Sequence, residues 1–228
     1  MNRLYLPDAE VAYARDVLFA VELVDPVALA PVTRNVTVAA PPLVRQPLRS
    51  FSGRFVWLRE GDAWPASLVV EPDPALFERA TDEAPSRPAD PDHPQDAELL
   101  ARRVLVPART YPFPDGVTVV RGRLVQSSGS PVQPVTDAHV RLQWFDSDSG
   151  TWSGDAASTP VLSRDAGEFA AFLRLPPSTT APGDAAAFLR VRLRVVRPYQ
   201  DPRTSPDLLV PPGRAFGAFQ ALAWDALN

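Results

Sequence analysis

Residues 49–58 read RSFSGRFVWL, and residues 162–173 read LSRDAGEFAAFL. In each, a polar turn ends in a glycine, and a phenylalanine two positions later opens an apolar stretch: Gly53 with Phe55, Gly167 with Phe169. A glycine at that point reads as a tight turn needing positive φ. The phenylalanine reads as the first inward side chain of an alternating strand, with Trp57 continuing the same face in the first case. The echo predicts two copies of one turn-to-strand element, with Phe55 and Phe169 in equivalent core positions. Substituting either glycine or phenylalanine would then lower stability rather than abolish a reaction.

Working outward, the offset between the copies changes only where loops absorb it. Leu23-Val24 matches Leu124-Val125 at an offset of 101, Val32-Thr33 matches Val135-Thr136 at 103, and the glycine–phenylalanine pairs match at 114. The largest jump falls where the second copy carries the DSDSGTWSGD hairpin. Around these anchors the chain reads as short strands. DVLFAVELVDPV (16–27), VTRNVTVAA (32–40), SGRFVWLRE (52–60) and WPASLVVEP (64–72) fill the first half, the last two separated by the hairpin dipeptide Gly61-Asp62. VTVVRGRLVQ (117–126), DAHVRLQWFD (137–146), the echoed strand and AAFLRVRLRVVRP (186–198) fill the second. Between the halves, residues 73–97 are rich in Pro, Asp and Ala and read as a linker or long surface loop, with a short helix at Pro74–Ala80 as an option. ELLARRVLVPARTYPF (98–113) closes the first domain or holds the two together.

The fold expected is all-β: two tandem antiparallel β-sandwiches. The first takes 17–72 plus 98–112 and the second 113–198, with terminal arms at 1–16 and 199–228. Composition agrees. Among 228 residues, 45% are hydrophobic and 22% charged, ordinary for a globular chain, but 27 are proline, about twice the usual share. Proline donates nothing to a ladder and stops helices, so many short strands and fixed turns follow.

The chain has no Cys, no Lys and no Ile, and all 23 basic residues are Arg. Lys and Ile codons are AT-rich, so those two absences indicate a GC-rich bacterial genome. Without Cys there is no disulfide framework, thiolate metal site or thiol nucleophile. Without Lys there is no phosphate-binding lysine of the Walker type and no Schiff base. A net charge of −4 makes no electrostatic case for nucleic acid. Asp8, Glu10 and Asp16 break the apolar run a signal peptide needs, and nowhere do about 18 apolar residues follow one another. The expectation is a soluble, unexported, cytoplasmic protein with no membrane contact.

The second half resembles a carboxypeptidase regulatory-like domain, a transthyretin-like seven-stranded sandwich. Gly122-Arg-Leu124, the small and Pro-rich turn Gly129–Pro134, Ala138-His-Val140-Arg-Leu142, and Asp165-Ala-Gly167-Glu-Phe169 leading to Leu175-Pro176 carry the likeness over about 85 residues. The first half fits less closely, since Phe51-Ser52-Gly53-Arg54-Phe55 lacks the Asp and its first strand has no Gly; it reads either as a diverged copy or as another, immunoglobulin-like sandwich. The resemblance implies a non-catalytic module that adds rigidity or contact surface, and no peptidase site comes with it.

Candidate sites are few. His93 sits in DPDHPQD and His139 alternates within DAHVRLQW; neither has a nucleophile-elbow serine or an HExxH partner, so both read as solvent-exposed. Asp146, Asp148 and Asp155 give hard oxygen donors for calcium, yet a Gly/Ser/Asp hairpin uses the same letters and the EF-hand glutamate is missing. Arg190, Arg192 and Arg194 share one strand face, either solvated or an anion or acidic-partner patch. In PPGRAFGAFQALAWDALN (211–228), Phe216, Phe219, Ala223 and Leu227 fall near helical spacing with Leu222 and Trp224 alongside, either packed on their own domain or forming an arm for a neighbour. The N-terminal MNRLYLPDAEVAY is a second candidate arm.

No catalytic residue, cofactor or committed metal site emerges. The function expected is a structural or adaptor subunit of a multi-protein assembly, of the phage-tail-like or contractile injection kind. It would meet other protein subunits through its arms, with homo-oligomerisation inside the assembly as an option. The alternative is a carbohydrate- or calcium-binding sandwich that uses the loops around Trp144, Trp152 and the Asp hairpin.

Overall fold

Short β-branched runs cut by proline give a helix no stretch in which to nucleate, and the computed structural model is accordingly built of strands. It describes residues 16–90, 95–127, 131–155, 158–174, 188–217 and 221–228. The first half holds β1 (Val17–Asp25), β2 (Ala30–Pro31), β3 (Val36–Ala39), β4 (Leu48–Arg49), β5 (Phe55–Leu58), β6 (Ser67–Pro72), β7 (Ala80–Glu83), one helical turn α1 (Asp96–Leu99) and β8 (Leu100–Val104). The second holds β9 (Thr118–Gln126), β10 (Gln133–Pro134), β11 (His139–Asp146), β12 (Thr151–Trp152), β13 (Val161–Leu162), β14 (Glu168–Leu173), β15 (Leu189–Val196), β16 (Arg203–Thr204), β17 (Leu208–Val210), β18 (Ala215–Gly217) and β19 (Leu222–Ala223). No helix among the described residues is long and apolar enough to cross a membrane.

The chain divides into two units that are not consecutive in sequence. One comprises Met1–Leu23, Pro31–Val70 and Ala80–Arg103; the other comprises Val24–Ala30, Glu71–Arg79 and Val104–Asn228. In the first, one sheet runs β2-β1-β5-β4 with β8 also on β1, and a second runs β3-β6-β7. Phe19 of β1 stacks on Trp57 of β5, ring centroids 4.5 Å apart and nearly parallel. Val38, Leu68 and Val70 of the second sheet are buried with them. In the second unit, one sheet runs β10-β9-β14 with β18 and β19 also on β9. The other runs β12-β11-β15-β16, with β13 on β11 and β17 on β15. Phe169, Ala171, Leu124, Leu142, Leu193 and Val195 are among its buried residues.

The two halves share one hydrogen-bond plan. Gly53 N–H donates to the Ser50 carbonyl at 3.0 Å and Ser50 N–H to the Arg54 carbonyl at 2.9 Å. Gly167 N–H donates to the Arg164 carbonyl at 2.6 Å and Arg164 N–H to the Glu168 carbonyl at 3.0 Å. Both glycines sit at φ +81°, the left-handed region that the turn requires. Val32 N–H reaches the Leu23 carbonyl at 2.8 Å, and Val135 N–H the Leu124 carbonyl at 3.0 Å. Across the strands, Phe19, Ala20 and Val21 face Trp57, Val56 and Phe55, while Val120, Arg121 and Gly122 face Ala171, Ala170 and Phe169. These pairs reproduce the offsets of 101, 103 and 114 found in the sequence. Phe55 and Phe169 are both buried, 3% and 2% exposed.

Four expectations need correction. The Pro/Asp-rich segment 73–97 is not a plain linker: Ala80–Glu83 forms β7, antiparallel to β6 with Val70 opposite Ala80 and Ser67 opposite Glu83. Its polar letters hide it because an edge strand with one solvated side needs few apolar residues. No helix spans Pro74–Ala80; residues 74–76 are a turn and Phe77 makes a β-bridge to Pro107. Gly61-Asp62 does turn the chain, but β5 and β6 lie in different sheets, so it is a crossing rather than a hairpin. The C-terminal segment from 199 is not an arm, because β16 and β17 extend the sheet on β15, and β18 and β19 run parallel to β9. The edge of β9 opposite β14 would otherwise leave its N–H and C=O groups unpaired. β8 lies on β1 as β18 and β19 lie on β9. The N-terminal candidate arm falls almost wholly in residues 1–15, outside the described residues.

Candidate functional site

The most developed side-chain constellation lies on the second unit, on the outer face of β11 and β15. β15 alternates strictly: Val191, Leu193 and Val195 are fully buried, which turns Arg190, Arg192 and Arg194 to the opposite face. Register sets Arg141 of β11 directly opposite Arg194, and Gln143 opposite Arg192. The DSDSG turn folds β12 back on β11, so Trp152 faces Phe145 with ring centroids 5.5 Å apart, edge to face.

The guanidinium groups then lie over the aromatic rings. Arg190 lies 4.6 Å from the Phe145 ring centre and 5.5 Å from that of Trp152, and Arg192 lies 4.3 Å from Trp152. Arg190 Nε donates to Asp207 Oδ2 at 2.6 Å and Arg192 Nε to Gln143 Oε1 at 2.9 Å. Gln143 Nε2 donates to the Ser153 carbonyl at 3.1 Å and to Asp155 Oδ1 at 3.2 Å. Arg194 pairs with the Asp155 carboxylate, and Arg141 donates to the Asp155 and Ser158 carbonyls. Burial, and then the like charge of Arg194, pull the Arg141 pKa below its ordinary value. Four arginines against two carboxylates leave this face positive. Each arginine is already hydrogen-bonded, so the face offers a stiff layer of guanidinium and aromatic planes rather than free anion donors.

Asp146, Asp148 and Asp155 do not converge. Asp146 Oδ1 accepts the Asp148 N–H at 3.1 Å and Oδ2 accepts the Ser149 hydroxyl at 2.8 Å, an Asx turn that holds its carboxyl below the usual range. Asp155 is engaged by Arg194 and Gln143 instead. Among the described residues no three His, Cys, Asp or Glu side chains gather as metal ligands. Trp144, facing Val191, lies next to Trp152's partner Phe145 in β11. His139 is exposed, and its pKa is lowered by partial desolvation of the ring, then by Arg141 and Arg164. His93 lies outside the described residues.

The C-terminal candidates belong to their own unit. Phe216 pairs with Val120 in β18 and Leu222 with Leu124 in β19, while Trp224 and Leu227 are 3% and 6% exposed. Residues 224–226 form a single 3-10 turn, and the Trp224 ring lies between Arg197 and Arg203, 5.2 and 4.7 Å away. Arg203 Nη1 donates to the Trp224 carbonyl at 3.0 Å, and Asn228 exchanges backbone bonds with Thr204 at 2.6 and 3.0 Å. Phe219 lies outside the described residues.

Two features escape the sequence reading. Asp25, 9% exposed, accepts the Val27 N–H at 2.7 Å and the Tyr111 hydroxyl at 2.6 Å, which ties together distant parts of the second unit. On the first unit, segment 42–51, which includes β4, leaves Val44, Leu48 and Phe51 exposed; Val44 and Leu48 line a hollow of about 320 Å³ with Leu18, Leu43 and Trp57, while Phe51 lines a second hollow with Arg34 and Arg49. The available signal was an aromatic residue inside a Ser/Gly turn, where no core requires it. Comparison with protein-family models, with curated proteins and with solved structures returns no match.

Proposed function

We propose that the chain is a structural or adaptor subunit of a multi-protein assembly, built to present contact surface on two rigid sandwiches. The observation that carries this reading is the exposed apolar pair Val44 and Leu48 of the first unit. Val44 is 95% exposed and Leu48 58%, and the two line one hollow of a sandwich that has buried Phe19, Leu23 and Leu68 completely. Neighbouring apolar side chains left in water beside a closed core are typical of a protein contact surface. The arginine–aromatic face of the second unit adds a stiff surface rich in the residue types that interfaces favour. The C-terminal segment does not carry the proposal, since Trp224 and Leu227 are spent on their own core.

Native fractionation of cells producing the chain at its normal level tests the reading. The expected result is co-sedimentation with a large particle, at a fixed stoichiometry to the same subunits in repeated preparations. Recovery of the whole pool as free monomer would overturn it. The phage-tail-like or contractile injection form is the finer version of this proposal, and particle composition and electron-microscopic shape test it in the same fractions.

A further inference from the structure

The corner that closes each sandwich copy is the same in backbone and opposite in charge bookkeeping. In the second unit the corner residue Arg164 is saturated. Its Nη1 donates to Asp137 Oδ1 at 2.7 Å and its Nε to Glu78 Oε2 at 3.1 Å. In the first unit, Ser50 takes the place of Arg164 in the turn, and the loop that carries Asp137 carries Arg34 and Asn35 instead; Asn35 and Asp137 both have positive φ, 52° and 57°. Here a hollow of about 340 Å³ is lined by Arg34, Arg49, Ser50, Phe51 and Ser52, with no acidic side chain among the described residues of its wall.

Arg49 rests its guanidinium 5.3 Å from the Phe55 ring centre, and among the described residues neither Arg34 nor Arg49 has a carboxylate partner. Two uncommitted guanidinium groups beside a fully exposed phenyl ring form a local cation on a chain whose net charge is −4. A general electrostatic attraction for anions is therefore absent, and only a local contact would favour one. β4, which carries Arg49, ends its sheet in the order β2-β1-β5-β4, so among the described residues no strand lies on its outer side.

We infer that this corner, Arg34 and Arg49 with Phe51, receives an extended acidic segment of a partner protein, a statement of partner chemistry that rests on the adaptor reading. Carboxylates of the segment take the place that Asp137 and Glu78 fill in the second unit, each able to accept two parallel N–H bonds from one guanidinium. The segment's backbone extends the sheet at β4, and its apolar residues cover Phe51.

Fluorescence anisotropy with the full chain tests this. The probe is a short labelled peptide alternating glutamate with valine, and the control is its glutamine counterpart. The expected result is binding of the glutamate peptide that weakens with added salt, with the glutamine peptide at least about tenfold weaker. Arg34→Gln with Arg49→Gln removes the preference, Phe51→Ser weakens binding of both peptides, and Arg190→Gln on the second unit leaves it unchanged. Equal binding of the two peptides, no binding, or full affinity in the double variant would overturn the inference. Unchanged circular-dichroism melting of the double variant separates loss of contact from loss of fold. The adaptor reading fails separately: a chain that is wholly monomeric in native fractions yet binds the acidic peptide removes the assembly and keeps the corner. A double variant that enters the particle at wild-type stoichiometry removes the corner and keeps the assembly.

Discussion

The turn Ser50–Arg54 and the turn Arg164–Glu168 have the same two hydrogen bonds, the same φ at glycine and the same strand behind them, but different neighbours. A β-carbon placed on Gly167 would lie 2.1 Å from the Leu124 carbonyl oxygen, which is backbone fixed in β9. One placed on Gly53 would lie 2.3 Å from Thr33 Cγ2, the end of a short side chain. Backbone geometry is therefore conserved between copies by the demands of the turn, while what presses on it has diverged. The lesson is that a repeated motif predicts conformation better than it predicts the cost of changing it.

That contrast gives the largest expected effect. Gly167→Ala should destabilise by about 3–5 kcal/mol, combining left-handed strain with a clash that no side chain can relieve. Gly53→Ala should cost less, about 1–3 kcal/mol, and Thr33→Ser, which removes Cγ2, should recover part of it. Denaturant melts of the three variants decide the matter; equal costs for the two glycines would show that strain alone dominates.

Next comes the residue opposite each phenylalanine. Phe169 lays its ring over Gly122, where a β-carbon would meet Cζ at 2.7 Å, whereas Phe55 faces Val21. Gly122→Val, which makes the second copy like the first, should cost about 1–3 kcal/mol through displacement of the ring, read as a lowered urea midpoint. A neutral result would mean that the ring has room to swing as it does beside Val21.

A smaller effect is expected at Tyr111, whose pKa is raised above 10.0 by burial, then by the hydrogen bond to Asp25 and its negative charge. The neutral phenol is the favoured form, so its contribution is present below about pH 10 and is lost as pH rises beyond that value. Tyr111→Phe should cost about 1–2 kcal/mol at pH 7, and the gap from wild type should narrow in melts at pH above 10. A gap that widens with alkalinity would reverse the assignment.

The smallest effect sharpens the charge contrast between the two corners. Asp137→Asn should lower stability by at most about 1 kcal/mol, because the Arg164 ion pair is solvent-exposed on its aspartate side. Arg34→Gln in the first copy should leave melting unchanged, since among the described residues no partner depends on it. A measurable loss there would show that the first corner is paired within the chain.

Much of the fold was legible because it is local. The Gly-x-Phe echo, the alternation of Arg190 to Val195 and the Gly/Ser turn between Phe145 and Trp152 each declare themselves within ten residues, the range over which side-chain period and turn chemistry act. β7 was illegible for the converse reason: ATDE carries no apolar alternation, and only its place beside β6 makes it a strand. The C-terminal residues misled because Phe216, Ala223 and Leu227 fit a helical stripe as well as they fit two short strands and the end of a 3-10 turn. Of the candidate site, the arginine row was visible. Its union with Trp152, Gln143 and Asp155 was not, since that depends on how a hairpin folds over the sheet.

By itself the sequence determined an all-β chain, the glycine turns, the inward phenylalanines and the spacing of two like halves, because each follows from steric freedom and polarity along a few residues. Tertiary structure alone decided that the last strands pair with β9, that Asp25 bonds Tyr111, and that Arg164 is neutralised while, among the described residues, Arg34 and Arg49 meet no carboxylate. Those outcomes depend on which backbone edge is left unpaired and which charges meet across dozens of residues, and a linear pattern of polarity carries no record of either.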